Sequence, residues 1–190
     1  DGQVYRFDFE DALRPGSEEM AAELQARGMD LEILSGDRAS AVADVASRLG
    51  IEHWQAAASP ADKAARLEAL RAEGRKVLMI GDGLNDAGSL ALAHASLAPG
   101  GAMDVSQSAS DAVYTGAGLE AILSILDTAR GARLRMLQNF SLAALYNMIA
   151  VPVAVAGFAT PLVAAIAMSA SSLIVTLNAI RPSRRKEAAA

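Results

Sequence analysis

From Met136 to Ile180 the 190-residue chain carries no charged side chain, a run of 45 positions. About 20 apolar residues are enough for one helix to cross a bilayer, so this run predicts two spans rather than one core helix. Glycine and proline interrupt it once, at Gly157-Phe158-Ala159-Thr160-Pro161, which reads as the turn of a helical hairpin. The flanks are basic: Arg130, Arg133 and Arg135 precede the run, and Arg181, Arg184, Arg185 and Lys186 follow it. Positive charge stays on the cytoplasmic side, so both ends of the hairpin, and the acidic part before it, are expected in the cytoplasm. A secretory signal does not explain the run, which is C-terminal and too long for a signal's apolar stretch.

The rest of the chain has the opposite character. Residues 1–129 hold 10 Lys and Arg against 21 Asp and Glu, whereas 130–190 hold 7 against 1, an asymmetry that implies two environments. The expected division is a soluble part over 1–129, two transmembrane helices within 130–180 (about 136–157 and 160–180), and a basic tail over 181–190. There is no cysteine, which excludes a disulfide framework and a zinc ribbon, and His53 and His94 cannot cage a metal unaided. Acidity and the lack of a basic face with interleaved aromatics exclude nucleic acid as a partner. In the soluble part, strand-like runs at Leu31–Leu34, Lys76–Ile80, Ala95–Ala98 and Ala112–Thr115 alternate with helical stretches over 39–49 and 61–72. A helix from about Leu119 runs on toward the membrane. This alternation predicts an α/β fold with a parallel sheet.

Two strand candidates end in glycine and acid: Leu34-Ser35-Gly36-Asp37 and Ile80-Gly81-Asp82-Gly83-Leu84-Asn85-Asp86. Ligands of open parallel sheets bind at the carboxyl ends of strands, where glycine lets backbone N–H groups approach an anion. Ser35 offers a hydroxyl and a backbone donor for a phosphoryl oxygen. Asp82 and Asp86 place two carboxylates where a hard cation such as Mg²⁺ is wanted. Lys63, in Pro60-Ala61-Asp62-Lys63, is suited to neutralising a transferring phosphoryl group. Singly, Ser-Gly-Asp reads more readily as a turn and helix cap than as a site, and Lys63 as a solvated surface charge. Gly-Asp-Gly-x-Asn-Asp directly after a strand is too elaborate for a mere turn, and the three motifs in this order are more specific than any one.

Together with Leu13-Arg14-Pro15, Ala58-Ser59-Pro60 and Ala87, these segments resemble the C-terminal part of a P-type ATPase, a member of the haloacid dehalogenase superfamily, and the similarity runs over nearly the whole chain. The resemblance implies part of a haloacid-dehalogenase-like, Rossmann-like phosphorylation domain followed by a two-helix transmembrane hairpin. By it, Ser35, Gly36 and Lys63 would contact an aspartyl phosphate, while Asp82 would ligate Mg²⁺ with Asp86 as a weaker ligand. Asn85 and Asp86 would order the phosphate site, and Asp37 and Gly83 would face ATP. Gly88 departs from the family, which has proline after Asn-Asp-Ala. The family's nucleophile, in an Asp-Lys-Thr-Gly-Thr string, does not occur in the sequence. The resemblance therefore implies a fragment lacking the nucleophile, the nucleotide-binding and actuator domains and the earlier membrane helices, and unable to phosphorylate itself.

Polar groups inside a span call for a reason. Gln138, Asn139 and Asn178 lie near the cytoplasmic ends, where water is expected to satisfy them, and Ser169 and Ser171 suit helix packing. Tyr146, Asn147, Met168 and Ser172 lie deeper, and they resemble the Tyr-Asn and Met-x-x-x-Ser patterns of copper-transporting ATPases of the heavy-metal class. A thioether is a soft donor suited to Cu(I), and the hairpin holds neither acid nor lysine, whereas the zinc, cadmium and lead branch is expected to carry an ionisable residue here. Ala150-Val151-Pro152 and Thr160 to Ser169 look most like the subgroup supplying copper for bacterial cytochrome oxidase assembly. That resemblance implies a multi-pass protein of the bacterial inner membrane that uses ATP and Mg²⁺ and exports Cu(I), with the lipid bilayer and a copper chaperone as partners. Three other readings stand beside it: a pump for silver or a zinc- or cadmium-type ion, a membrane-anchored haloacid-dehalogenase-like phosphatase with Asp8 or Asp11 as nucleophile, and a non-enzymatic truncated product.

Overall fold

A computed structural model describes residues 13–115 and 119–181. Asp8 and Asp11, and the tail after Arg181, lie outside the described residues. The chain divides between Leu123 and Ser124 into two compact units.

The first unit alternates helices and short strands: α1 (Ser17–Ala26), β1 (Glu32–Leu34), α2 (Ala39–Leu49), β2 (His53–Gln55), α3 (Pro60–Ala72), β3 (Leu78–Ile80), a single 3-10 turn (Leu84–Asp86), α4 (Ala87–Leu92), β4 (Ala95–Pro99), α5 (Asp104–Ala109) and β5 (Ala112–Tyr114). All strand pairings are parallel, but they form two sheets among the described residues. In one, β1 lies beside β2 with Glu32 opposite His53. In the other, β4 lies between β3 and β5, with Leu78 opposite Ala95 and Leu97 opposite Ala112. The central position of β4 explains why Ser96, Leu97 and Ala98 are all buried. Buried Ser96 is satisfied by Asp111, whose Oδ2 accepts from the Ser96 N–H (2.8 Å) and Oγ (3.1 Å).

Helix patterning follows the chemistry of the ends. Val42 and Ala46, one turn apart, are the buried positions of α2, which stops at Gly50 in the left-handed region (φ 62°) that glycine enters without a Cβ penalty. Helix α3 opens on a capping box. The Asp62 N–H donates to Ser59 Oγ (3.2 Å), and the Ser59 N–H donates back to Asp62 Oδ2 (2.9 Å). The Ser59 hydroxyl and then its N–H hold the Asp62 carboxyl below its ordinary range. Neither α1 nor β2 was expected from the sequence: the apolar residues of α1 are interspersed with Glu18, Glu19 and Glu23, and β2 exposes all three of its side chains.

The second unit consists of the remainder of α6 (Glu120–Val155) and α7 (Pro161–Ile180). At 1.5 Å per residue, the 36 residues of α6 extend about 54 Å, more than the hydrocarbon core requires. The charge boundary at residues 129–130 thus falls inside one continuous helix. The first span, expected to end near 157, stops at Val155, because Gly157 turns the backbone to φ 82°. Thr160 then caps α7 by accepting from the Val163 N–H (3.3 Å), with Pro161 in its first turn. Both helices are long and apolar enough to span a membrane, α7 reaching a mean hydropathy of 1.9. Their side chains stand open, Val155 at 83% and Met148 at 70%, an apolar surface that suits lipid and not water. Asn178, expected to rely on water, instead bridges the helices: its Nδ2 donates to Asn139 Oδ1 (2.8 Å) and Gln138 Oε1 (3.3 Å).

Candidate active site

Both glycine-acid motifs lie at the carboxyl ends of parallel strands, Ser35–Asp37 after β1 and Gly81–Asp86 after β3. In the first, Ser35 Oγ donates to Asp37 Oδ2 (2.7 Å) and accepts from the Asp37 N–H (3.2 Å). The turn is fastened to the segment after β2: the Ala57 N–H donates to the Asp37 carbonyl (2.8 Å) and the Ala58 N–H to the Ser35 carbonyl (2.9 Å). Ala57 has φ 49°, the one left-handed non-glycine among the described residues, a conformation that costs energy and is held by these two bonds. Gly36 is not required by space, since a Cβ there would sit in ordinary contact, 3.7 Å from the Ala58 carbonyl.

The same segment leads into α3. Ser59 caps the helix, and Lys63, one residue past the capping Asp62, is 8% exposed. The solvated-lysine reading is therefore wrong for its environment. Lys63 Nζ donates to Asp86 Oδ1 at 2.6 Å, and both side chains are nearly buried. Asp86 Oδ2 accepts from the Gly83 N–H (3.3 Å). Its carboxylate is therefore engaged on both oxygens, by a cation and by its own loop. Gly81 makes this approach possible, because a Cβ at that position would lie 2.9 Å from Asp86 Cβ and 3.0 Å from Oδ2. Asp82, the neighbouring carboxylate, is half exposed and accepts from the Arg14 guanidinium at 2.9 Å. Asn85 is exposed. Buried Tyr114 has its hydroxyl pKa raised by desolvation, against the lowering influence of Arg14, with Asp82 raising it further.

One continuous path thus ties three motifs: Ser35 to Ala58, the Ser59 cap to Lys63, and Lys63 to Asp86 and Gly83. Among the described residues no hydrogen bond or ion pair joins Ser35–Asp37 directly to Gly81–Asp86. Nor do three potential carboxylate or imidazole ligands gather to form a metal cage there. Arg14, through Asp82, and Ser106, whose Oγ donates to the Gly83 carbonyl (2.6 Å), entered the site without being singled out for chemistry. Arg14 stood in a matching segment, while Ser106 has no sequence signal, its role depending on where α5 packs.

In the second unit, Tyr146 and Asn147 lie on α6, and Met168 and Ser172 on α7, one helical turn apart. Met168 is 69% exposed, and no hydrogen bond links the four.

Comparison with known proteins gives this geometry a context. Residues 3–94 match the haloacid dehalogenase-like hydrolase family. The chain is 50% identical over 169 residues to the nitrogen fixation protein FixI of Bradyrhizobium diazoefficiens, covering 89% of this chain and 23% of that protein. It is 35% identical over 176 residues to the copper-exporting P-type ATPase B of Enterococcus hirae, covering 90% and 24%. Among solved structures, a zinc-transporting PIB-type ATPase in its E2·Pi state superposes with a TM-score of 0.85 at 30% identity, over 90% of this chain and 28% of that one. The chain spans about a quarter of the length of the curated relatives it matches. With a haloacid-dehalogenase-like part followed by two apolar helices, it is similar over about nine-tenths of its length to P-type ATPases named for heavy metals.

Proposed function

We propose that this chain is the C-terminal portion of an ATP-driven pump exporting Cu(I) across the bacterial inner membrane through an aspartyl phosphate. The observation that carries the reading is the linked set of Ser35, Lys63 and Asp86, with Asp82 beside it at the end of β3, followed by a charge-free hairpin. Ser35, through its hydroxyl at the first strand end, its N–H being spent on the Gln55 carbonyl (3.0 Å), and Lys63, reaching from α3 to the second, bind phosphoryl oxygens, and Asp86 keeps the Lys63 ammonium aimed. Asp37 and Gly83 face ATP, while Gly36 and Asn85 shape the phosphate's surroundings.

Mg²⁺ is commonly bound by one or two carboxylates together with phosphate oxygens and water. The half-exposed Asp82 carboxylate, with only a displaceable guanidinium on it, fits that use, whereas Asp86 is already held by Lys63 and Gly83. Asp82 would hold the ion, which when bound neutralises charge on the transferring phosphoryl group. The phosphoryl acceptor lies outside any motif of this sequence, so the chain alone forms no phosphoenzyme.

Copper as cargo is supported by the Met168 thioether, by the absence of a carboxylate or lysine from Met136 to Ile180, and by relatives named as copper ATPases. Tyr146, Asn147 and Ser172 complete this chain's share of the ion path. The strings around Pro152 and Met168 further support the oxidase-supplying subgroup, with a copper chaperone as donor. The fold likeness to a zinc-transporting ATPase does not bear on the ion, which side chains in the hairpin select. The test is ATPase activity of the intact protein in membrane vesicles, with Cu(I) and Zn(II) titrated separately and Asp82→Ala as control. Stimulation by Cu(I) alone, lost in Asp82→Ala and weakened in Met168→Leu, is expected. Stimulation by Zn(II) alone would overturn the cargo, and stimulation by neither would overturn the pump.

A further inference from the structure

The Gly81–Asp86 loop is held from a direction that none of its own side chains supplies. Ser106, in the short helix α5, is fully buried, and its Oγ donates to the Gly83 carbonyl at 2.6 Å. Gly83 is the residue whose N–H reaches Asp86 Oδ2, and Asp86 in turn holds Lys63. Within the loop the same carbonyl also accepts from the Asp86 N–H at 3.0 Å. Glycine has the widest conformational freedom of any residue, and a Gly83 Cβ would meet Asp86 Oδ2 at 3.4 Å and nothing nearer. Rotation of the peptide after Gly83 is therefore checked by two donors to its carbonyl, of which the Ser106 hydroxyl is the shorter and the one that comes from outside the loop. Helix α5 is itself anchored: Gln107 Nε2 donates to the carbonyls of Ala102 (2.8 Å) and Gly100 (3.1 Å), and the Ser106 N–H donates to the Met103 carbonyl (2.9 Å).

We propose that Ser106 is a positioning residue of the phosphoryl-transfer site. By fixing the Gly83 carbonyl it sets the orientation of the loop that presents Asp82 on one side and Asp86, with Lys63, on the other. The inference rests on the pump reading for its catalytic consequence. Its structural premise, the grip on Gly83, does not depend on that reading. A residue acting this way changes how well Mg²⁺ and the phosphoryl group are met, and leaves ATP binding and folding nearly alone.

The experiment compares Ser106→Ala and Ser106→Thr with the native intact protein. Phosphoenzyme formed from ATP is measured against Mg²⁺ concentration, ATP affinity by nucleotide titration, the melting temperature by thermal unfolding, and amide hydrogen exchange over residues 81–86. Loss of the short Ser106 bond, which leaves the Gly83 carbonyl with the Asp86 N–H alone, is expected to raise the half-saturating Mg²⁺ by about tenfold and to speed exchange in the loop by a similar factor. ATP affinity and melting temperature should stay close to native, and the hydroxyl of Ser106→Thr should restore both altered quantities. Native phosphoenzyme with an unchanged Mg²⁺ dependence in Ser106→Ala would overturn this inference alone. A fall in melting temperature that accounts for the lost phosphoenzyme and is not rescued by threonine would reduce Ser106 to packing. Failure of the native protein to form phosphoenzyme would overturn the pump reading and the catalytic role of Ser106 with it.

Discussion

Lys63 and Asp86 form the least replaceable pair in the molecule. Two nearly buried charges 2.6 Å apart offset each other's desolvation, and removing one strands the other in a poorly solvated site. Lys63→Met should lower the stability of the first unit by about 3 kcal/mol, read by urea unfolding with Trp54, the chain's single tryptophan, as the fluorescent reporter. Combining it with Asp86→Leu should recover much of that loss, since an apolar pair of similar volume carries no stranded charge. Equal losses in single and double variants would mean that the two charges do not compensate each other. The motif to which Asp86 belongs was legible from residue types and spacing, but its partner was not. Lysine at a helix start is usually solvated, and only the packing of α3 beside the β3 loop buries this one.

The elements were read with uneven success for identifiable reasons. Helices α2 and α3 have clear ends, Gly50 in one case and the Ser59–Pro60 start in the other, and their expected and observed spans agree within a residue. Strand β2 carries His53, Trp54 and Gln55 with every side chain exposed, so no alternation betrays it. In the hairpin, the apolar runs identified the helices, while the amide cluster joining them came only from their pairing. Asn178→Leu removes two donated bonds between α6 and α7. It should weaken their association by about 1 kcal/mol, measured as a lowered unfolding transition of the intact protein in detergent micelles, and an unchanged transition would show the cluster to be energetically idle.

At the scale of the whole molecule, both edges of each sheet are unpaired among the described residues, and β1 and β3 are two of the four edge strands. These two, unlike the edge strands β2 and β5, carry a glycine-acid motif at the carboxyl end, and Ile80 of β3 is 36% exposed. An unpaired parallel edge invites another strand. On the pump reading, the strand bearing the missing aspartate fits there, delivering its carboxylate between Ser35 and Lys63. Supplying the remainder of the pump as a separate polypeptide should therefore restore Mg²⁺-dependent phosphoenzyme and slow amide exchange in both β1 and β3. Restored phosphoenzyme with exchange unchanged in either strand would place the nucleophile elsewhere.

Local chemistry by itself determined much of this protein. A long apolar stretch without charge needs apolar surroundings, glycine and acid after a β-rich run mark an anion or cation site, and a capping serine before proline starts a helix. These signals act over a few residues and survive in a linear reading. Tertiary structure alone decided which groups meet: Lys63 with Asp86, Arg14 with Asp82, Ser106 with Gly83, Asn178 with Asn139. Those pairs are separated by 23 to 68 residues. Their partners are chosen by how helices pack beside strands and beside each other, and no local propensity encodes that choice.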